Sequence, residues 1–310
     1  MAETPWGDLL VNDAHVHFFS RVFYQGLARQ KKLDDVGHLG TLLGWEIPAA
    51  DPVALANRWI AELDAYRVGR ACLIASAHGD EDSVAIAVAA HPERFYGFFM
   101  LDPLQADATR RLHTAARNPH LSCVCLFPAM HTYSMADPRL VPLLETISDS
   151  HLAAFVHCGA LSVGVRKKLG LPNQFDMRFS DPLHLHPVAL HFPQIRFIVP
   201  HFGAGLLRET LMLADLCPNV YLDTSSSNHW MQYEGLDLRT VFRRTLDLLG
   251  PERLLFGTDS SFFPRGWQMS VFEQQVKALY ELGLDGKTAT QILKTNLEQL
   301  LERRAGSSSR

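Results

Sequence analysis

Eight short runs of β-branched, aromatic and aliphatic residues punctuate this chain, and longer amphipathic stretches separate them. After Leu9-Leu10-Val11 the runs occupy residues 70–76, 94–101, 121–127, 152–157, 195–200, 219–224 and 253–258. Between them, residues 52–66, 80–90, 104–117, 138–150, 183–191, 205–216 and 236–249 space apolar side chains three and four apart, as helices with one buried face do. Residues 268–282 and 285–303 repeat that pattern after the last run. Runs that are apolar throughout, rather than alternating, are strands buried on both faces, which a parallel sheet wrapped by helices requires. Eight such units close as a (β/α)8 TIM barrel, an α/β fold in one domain over residues 1–304, followed by a small polar tail, 305–310, expected to be disordered. An open doubly wound sheet fits less well. No Gly-x-Gly-x-x-Gly follows the first run, and a switch-point site would not draw on strands one, five, six and eight together.

Composition agrees with that reading. A chain of 310 residues, 47% hydrophobic and 20% charged, can bury one large core. Its net charge of −4 and the absence of a dense basic cluster argue against a nucleic-acid or membrane-surface partner. The two basic runs, Arg29-Gln30-Lys31-Lys32 and Arg166-Lys167-Lys168, read as solvated loops. With no basic-then-apolar leader and no apolar run long enough for a membrane span, a cytoplasmic location is expected. Cys72, Cys123, Cys125, Cys158 and Cys217 are odd in number and lack a Cys-x-x-Cys spacing, so buried free thiols in a reducing compartment are expected. Two connections, residues 18–51 and 158–182, far exceed the ~2–6 residues of ordinary α/β loops and would sit over the barrel mouth.

The chemistry-bearing residues cluster by strand position. Asp13-Ala14-His15-Val16-His17 directly follows the first run, and residues two apart on a strand point to one side, so His15 and His17 can hold one cation through neutral ring nitrogens. His157, His201 and Asp259 each sit at the end of a later run. In a parallel barrel those ends meet on one face. The chain has 15 histidines, most of them bystanders, and position is what separates these four from the others. His184-Leu185-His186 lies where a helix begins, and residues two apart on a helix diverge, so it is set aside as a metal site. Asp13 either supports the ligands or caps its strand; Asp223 either lines the site or, the favoured reading, satisfies loop amides. Arg265 and Trp267 can clamp a substrate carboxylate and cover a flat ring, or form an ordinary loop salt bridge and a packed aromatic. Phe19, Tyr24, Trp45, His78 and Asn228-His229-Trp230 are further candidates for the mouth.

Four motifs, Asp13-Ala14-His15-Val16-His17, Phe155-Val156-His157-Cys158-Gly159, Val199-Pro200-His201-Phe202-Gly203-Ala204-Gly205 and Leu255-Phe256-Gly257-Thr258-Asp259, occur in an order that resembles the amidohydrolase superfamily over residues 8–300. More narrowly, they are similar to the amidohydrolase-related branch of mononuclear-zinc decarboxylases, lactonases and hydratases of small carboxylic acids. The resemblance implies that His15, His17 and His157 bind one divalent metal ion, zinc first, with manganese, iron or cobalt as alternatives. It implies that Asp259 is a fourth ligand or a general base, and that His201 orients a metal-bound water or polarises a substrate oxygen. Binuclear members carry a carboxylated lysine at the end of strand four; residues 122–128 hold none, so one metal is expected. Cys125 is the thiolate alternative there, with an inert buried cysteine the favoured reading. The proline that often soon follows the strand-eight aspartate is delayed here to Pro264, so the substrate pocket is expected to differ. The activity implied is hydrolysis of an amide, ester or lactone in a small, carboxylated molecule. Non-oxidative decarboxylation of an aromatic or unsaturated acid is the alternative, and a catalytically silent binding barrel a third reading. The similar decarboxylases suggest a homodimer.

Overall fold

The structure is a computed structural model and describes residues 1–225 and 228–302. Eight parallel strands form one sheet in strict chain order: β3 (Asn12–Phe18), β4 (Arg70–Ala75), β5 (Phe95–Met100), β6 (Leu121–Leu126), β7 (Ala153–Val156), β8 (Phe197–Val199), β9 (Val220–Asp223) and β10 (Leu254–Leu255). Hydrogen bonds close the first strand onto the chain around the last. Ala14 N–H donates to the Phe256 carbonyl at 2.8 Å, His17 N–H to Ser260 at 2.7 Å, and Asp259 N–H to His15 at 3.0 Å. The (β/α)8 barrel expected from the repeated runs is therefore the fold. Two further strands, β1 (Ala2–Thr4) and β2 (Gly7–Leu9), pair as a separate antiparallel hairpin.

Because both faces of each barrel strand are covered, the apolar residues divide into two packed groups. Cys72, Phe98, Cys125, Phe155 and Leu255 fill the barrel interior with Leu297, Leu300 and Leu301 of the helix Asn296–Glu302. Val16, Leu73, Phe99, Val124 and Val156 face outward to the surrounding helices. All five cysteines are free and buried, and burial pushes the Cys125 thiol well above its ordinary pKa, as an inert packing residue requires.

The structure corrects several boundaries. The first barrel strand is Asn12–Phe18, not Leu9-Leu10-Val11, so His15 and His17 lie within it, beside a register irregularity between Asp13 and Val16. Both long connections carry helices: α1 (Arg21–Lys31) and α2 (Val36–Leu43) in the first, α3 (Gly164–Lys168) in the second. The basic runs read as loops are thus largely helical. Ser20 caps α1, its hydroxyl accepting from Phe23 N–H, and Asp35 caps α2 by accepting from Gly37 N–H. Phe23, Tyr24, Leu27, Leu39, Val165 and Leu169 bury against one another in a third apolar cluster, separate from the barrel core. No helix among the described residues is long and apolar enough to cross a membrane. The tail 305–310 lies outside the described residues.

Candidate active site

His15 and His17 project from β3 to the carboxyl-end face of the barrel, and Asp259 follows β10. Their ligating atoms lie within 4.8 Å of one another, the one such set of three or more metal-compatible groups among the described residues. His17 Nε2 is 3.1 Å and His15 Nε2 3.6 Å from Asp259 Oδ1, and the two Nε2 atoms are 3.3 Å apart. The backbone of Asp259 holds a left-handed φ of 60°. A non-glycine residue pays for that conformation, and here the Asp259 N–H bond to the His15 carbonyl helps to hold it.

Each imidazole is fixed from behind. His15 Nδ1 donates to Asp223 Oδ2 at 2.7 Å, and His17 Nδ1 contacts Ser76 Oγ at 2.7 Å. A ring nitrogen engaged in this way leaves the opposite Nε2 to present its lone pair, which is the arrangement a metal-ligating histidine needs. Gly257 makes the His15–Asp223 contact possible: a Cβ there would stand 2.7 Å from Asp223 Oδ1 and 3.0 Å from His15 Cβ. Asp223 therefore does more than satisfy loop amides, although it also accepts from Ser225 N–H at 2.6 Å. Ser76 and Ser225 were invisible from sequence. Their hydroxyls gain meaning only when the ends of different strands, β4 for Ser76 and β9 for Ser225, meet the imidazoles carried by β3.

His157 and His201 line the same cavity. The His201 ring centroid is 5.1 Å from that of His15 and 5.3 Å from that of His157. Three of the four expected metal ligands thus converge, and His157 stands on the wall beside them, outside the cluster. Its Nδ1 is buried without a hydrogen-bond partner among the described residues. The His201 loop is wound through left-handed φ values, 55° at His201 and 52° at Phe202. Its close approach to the His157 loop leaves no room at Gly159 for a side chain, since a Cβ would collide with the Gly203 carbonyl oxygen.

Burial and neighbouring charge set the protonation pattern. Burial alone would raise the Asp259 pKa, but the His17 hydrogen bond and the positive potential of His15, His17 and His201 hold it well below the usual carboxylate range. Burial lowers His157 strongly, with His201 and His15 adding to the effect, and it lowers His201 and His17 as well. For His15 burial acts downward, yet Asp223, by charge and hydrogen bond, outweighs it and the net shift is upward. An ionised carboxylate beside mainly neutral imidazoles fits a divalent cation.

A cavity of about 420 Å³ rises from this floor. Phe19, Phe23, Met100, Phe127, Met130 and Leu161 supply apolar wall, and Trp45, Phe262, Lys168 and Arg265 also line it. Arg265 donates to the Asp259 carbonyl at 3.0 Å and to Ser261 Oγ at 2.6 Å. Trp267 is not on the wall. It is 2% exposed, and its indole N–H donates to Asp13 Oδ2 at 2.7 Å. Asp13 also accepts from His15 N–H, Thr258 N–H and Thr258 Oγ1, so it ties the ligand-bearing strand to the loop after β10. Of the other mouth candidates, Phe19 and Trp45 line the cavity, while His78 pairs with Asp107 and Trp230 is buried.

Comparison with known proteins supports the same grouping. A 92-residue stretch is 30% identical to Protein fluG of Emericella nidulans, covering 30% of this chain and 10% of that protein. The structure superposes on 5-carboxyvanillate decarboxylase LigW from Sphingomonas paucimobilis with a TM-score of 0.67 and 15% identity, over 95% of this chain and 99% of that one. A probable 2-pyrone-4,6-dicarboxylic acid hydrolase from Acinetobacter baumannii, with citric acid bound, gives 0.58 and 13%, over 94% and 98%. A 5-carboxyvanillate decarboxylase from Novosphingobium aromaticivorans, complexed with manganese and 4-hydroxy-3-methoxy-5-nitrobenzoic acid, gives 0.61 and 16%, over 95% and 96%. At these identities the structural likeness speaks for the fold. Residues 13–303 match the Amidohydrolase family, a span that takes in the eight barrel strands but for Asn12, and all five site residues, and the chain belongs to that family.

Proposed function

We propose that the protein is a metal-dependent hydrolase that cleaves an amide, ester or lactone bond in a small carboxylated molecule. The observation that carries this reading is the convergence of His15 Nε2, His17 Nε2 and Asp259 Oδ1 at the floor of an apolar cavity, with both remote imidazole nitrogens already engaged. Those three residues would hold one divalent ion, zinc or manganese, with His157 beside them, its Nδ1 without a hydrogen-bond partner among the described residues. When bound, such an ion supplies Lewis acidity and brings the pKa of water near ~7.

The chain's own groups supply the rest. The Asp259 carboxylate, held ionised, takes a proton from the attacking water and returns it to the leaving oxygen or nitrogen. His201 faces the Ser225 carbonyl, which can only accept, through Nδ1 at 3.2 Å; its Nε2 is then the acceptor that orients the nucleophile. Apolar walls exclude competing water and bind the substrate's hydrocarbon part. One observation favours a second reading, decarboxylation: the wall between floor and mouth is almost wholly aliphatic and aromatic. A carboxylate drawn into it loses solvation, and breaking its C–C bond releases CO2 while the electron pair left on carbon takes up a proton.

A panel of lactones, esters and unsaturated or aromatic acids, assayed with zinc-loaded and manganese-loaded protein for both ring or bond hydrolysis and CO2 release, decides between the two. Asp259→Asn is expected to lower kcat by about 10²–10⁴-fold. An undiminished rate in that variant would overturn the role given to Asp259. Replacing both His15 and His17 by alanine should remove the metal, read by elemental analysis.

A further inference from the structure

Asp223 ends β9, Thr224 and Ser225 follow it, and all three are fully buried. Asp223 Oδ1 accepts from Ser225 N–H at 2.6 Å while its Oδ2 faces His15 Nδ1 at 2.7 Å. Gln275, itself buried, brackets Thr224: its Nε2 donates to the Thr224 carbonyl at 2.9 Å and to the Gly257 carbonyl at 3.0 Å, and its Oε1 accepts from Thr224 Oγ1 at 2.6 Å. The main chain that carries the Ser225 hydroxyl is thus pinned by two side chains. Gly257 leaves room for it, since a Cβ there would stand 3.0 Å from Ser225 Cβ. So placed, Ser225 Oγ lies 2.9 Å from His15 Nδ1 and 3.0 Å from His201 Nδ1, one oxygen between two imidazoles carried by different strands.

The direction of these bonds follows from the other partner of each ring. The Asp223 carboxylate accepts, so His15 Nδ1 carries hydrogen. The Ser225 carbonyl, 3.2 Å from His201 Nδ1, can only accept, so that nitrogen carries hydrogen as well. If the hydroxyl donated to His201 instead, a bare Nδ1 would face the lone pairs of the carbonyl. Both rings therefore turn an N–H towards Oγ, and a hydroxyl has two lone pairs with which to receive them. The rings do not depend on it equally. His15 keeps a carboxylate acceptor at 2.7 Å, the stronger kind of bond, whereas His201 relies on Oγ and one longer carbonyl contact. Burial, with His15 adding to it, lowers the His201 pKa, so the ring is neutral and the place of its single proton decides what it presents to the cavity.

We propose that Ser225 is a positioning residue whose hydroxyl, shared between the two rings, fixes His201 as the Nδ1–H tautomer and leaves its Nε2 as an acceptor. Asp223 then acts on both histidines, on His15 directly and on His201 through the Ser225 amide that it holds. This assignment deepens the proposed function, because the acceptor it provides is the one that reading gives to His201.

The test reads proton positions directly. Protein labelled with nitrogen-15 in its histidine rings is studied metal-free by long-range proton–nitrogen correlation at about pH 8, above the ordinary histidine pKa of ~6.5, with His15→Gln and His201→Gln assigning the two rings. Wild type should show His201 with a protonated Nδ1 and a bare Nε2. In Ser225→Ala both His201 nitrogens should move to intermediate shifts as the two tautomers interchange, while His15, still held by Asp223, keeps its pattern. Ser225→Thr, which retains the hydroxyl, should restore the His201 signals. A His201 that stays wholly Nδ1–H in Ser225→Ala, or that carries its hydrogen on Nε2 in wild type, overturns the assignment. On any substrate that the wild type turns over, Ser225→Ala should lower kcat about tenfold with KM and zinc content unchanged, the low end of what losing a partner behind a functional histidine does. Loss of zinc instead would make Ser225 a support of the metal site and overturn the assignment too. Failure of the hydrolase or metal reading shows itself separately, as no turnover or no bound metal, and the ring spectra of the metal-free protein still decide the role of Ser225.

Discussion

Asp223 shows how a residue away from the reacting atoms can govern them. Its Oδ2 fixes the tautomer of His15, and Gly257 leaves the space for it. Asp223→Asn keeps the shape but offers an amide where a carboxylate accepts. Metal affinity is expected to fall about 10–100-fold, the usual effect of removing a partner behind a ligating histidine. Competition with a chromogenic chelator measures it, and unchanged affinity would show that Ser225 alone, 2.9 Å from His15 Nδ1, suffices to orient the ring. At this scale the sequence singled out His15 and His17, which lie within the first barrel strand, and His157, His201 and Asp259, which follow later ones, because position relative to a strand can be read locally. It did not reveal Ser76 or Ser225, whose roles exist only across strands, and it left Trp267 open between a substrate cover and a packed aromatic, where Asp13 holds its indole in the core.

Between elements, the contact of Ser20 with Asp80 joins the start of α1 to the helix Glu81–Ala90. Ser20 Oγ donates to Asp80 Oδ2 at 2.6 Å and Ser83 Oγ to Oδ1 at 2.5 Å. Burial lifts Asp80 to about 6 despite these bonds, with Glu81 and Asp82 nearby adding in the same direction. A folded-state pKa above the unfolded one means the stabilisation is fully present below about pH 4 and is lost as pH rises through about 6. Relative to Asp80→Asn, wild type should therefore lose up to about 3 kcal/mol between pH 4 and 7 and then level off. Urea titrations of both proteins across that range check it, and a flat difference would refute it. Element order was legible because runs buried on both faces announce strands. The first barrel strand was misplaced because it carries Asn12, Asp13, His15 and His17 where its neighbours carry aliphatics, while the apolar Leu9 went to the hairpin. The helices α1 and α2 went unread because their apolar faces answer to each other and to α3 rather than to the barrel.

The whole molecule is built on two kinds of apolar packing, one closing the barrel and one holding the cap of α1, α2 and α3 over the cavity. Because these groups are separate, they can open separately. Leu39, fully buried within the cap cluster, is the place to test this. Leu39→Ala should destabilise the cap by about 2–5 kcal/mol. Hydrogen exchange should then quicken across residues 19–47 and 161–171 while the barrel strands keep their protection. Loss of protection throughout would mean that cap and barrel unfold as one unit. A loosened cap should also raise KM more than it lowers kcat, since it carries Trp45 and Lys168 but none of the floor.

The bonds that join Asp259 to His15 and His17 to Ser260 have a consequence for how the protein is made. The site lies on the seam where the earliest barrel strand meets the latest. A nascent chain displays its two histidines more than two hundred residues before the carboxylate that joins them leaves the ribosome. Under the metal-dependent reading proposed above, loading of a cation would be a late event in biogenesis, and a protein holding its ion would be one whose barrel has already been sealed.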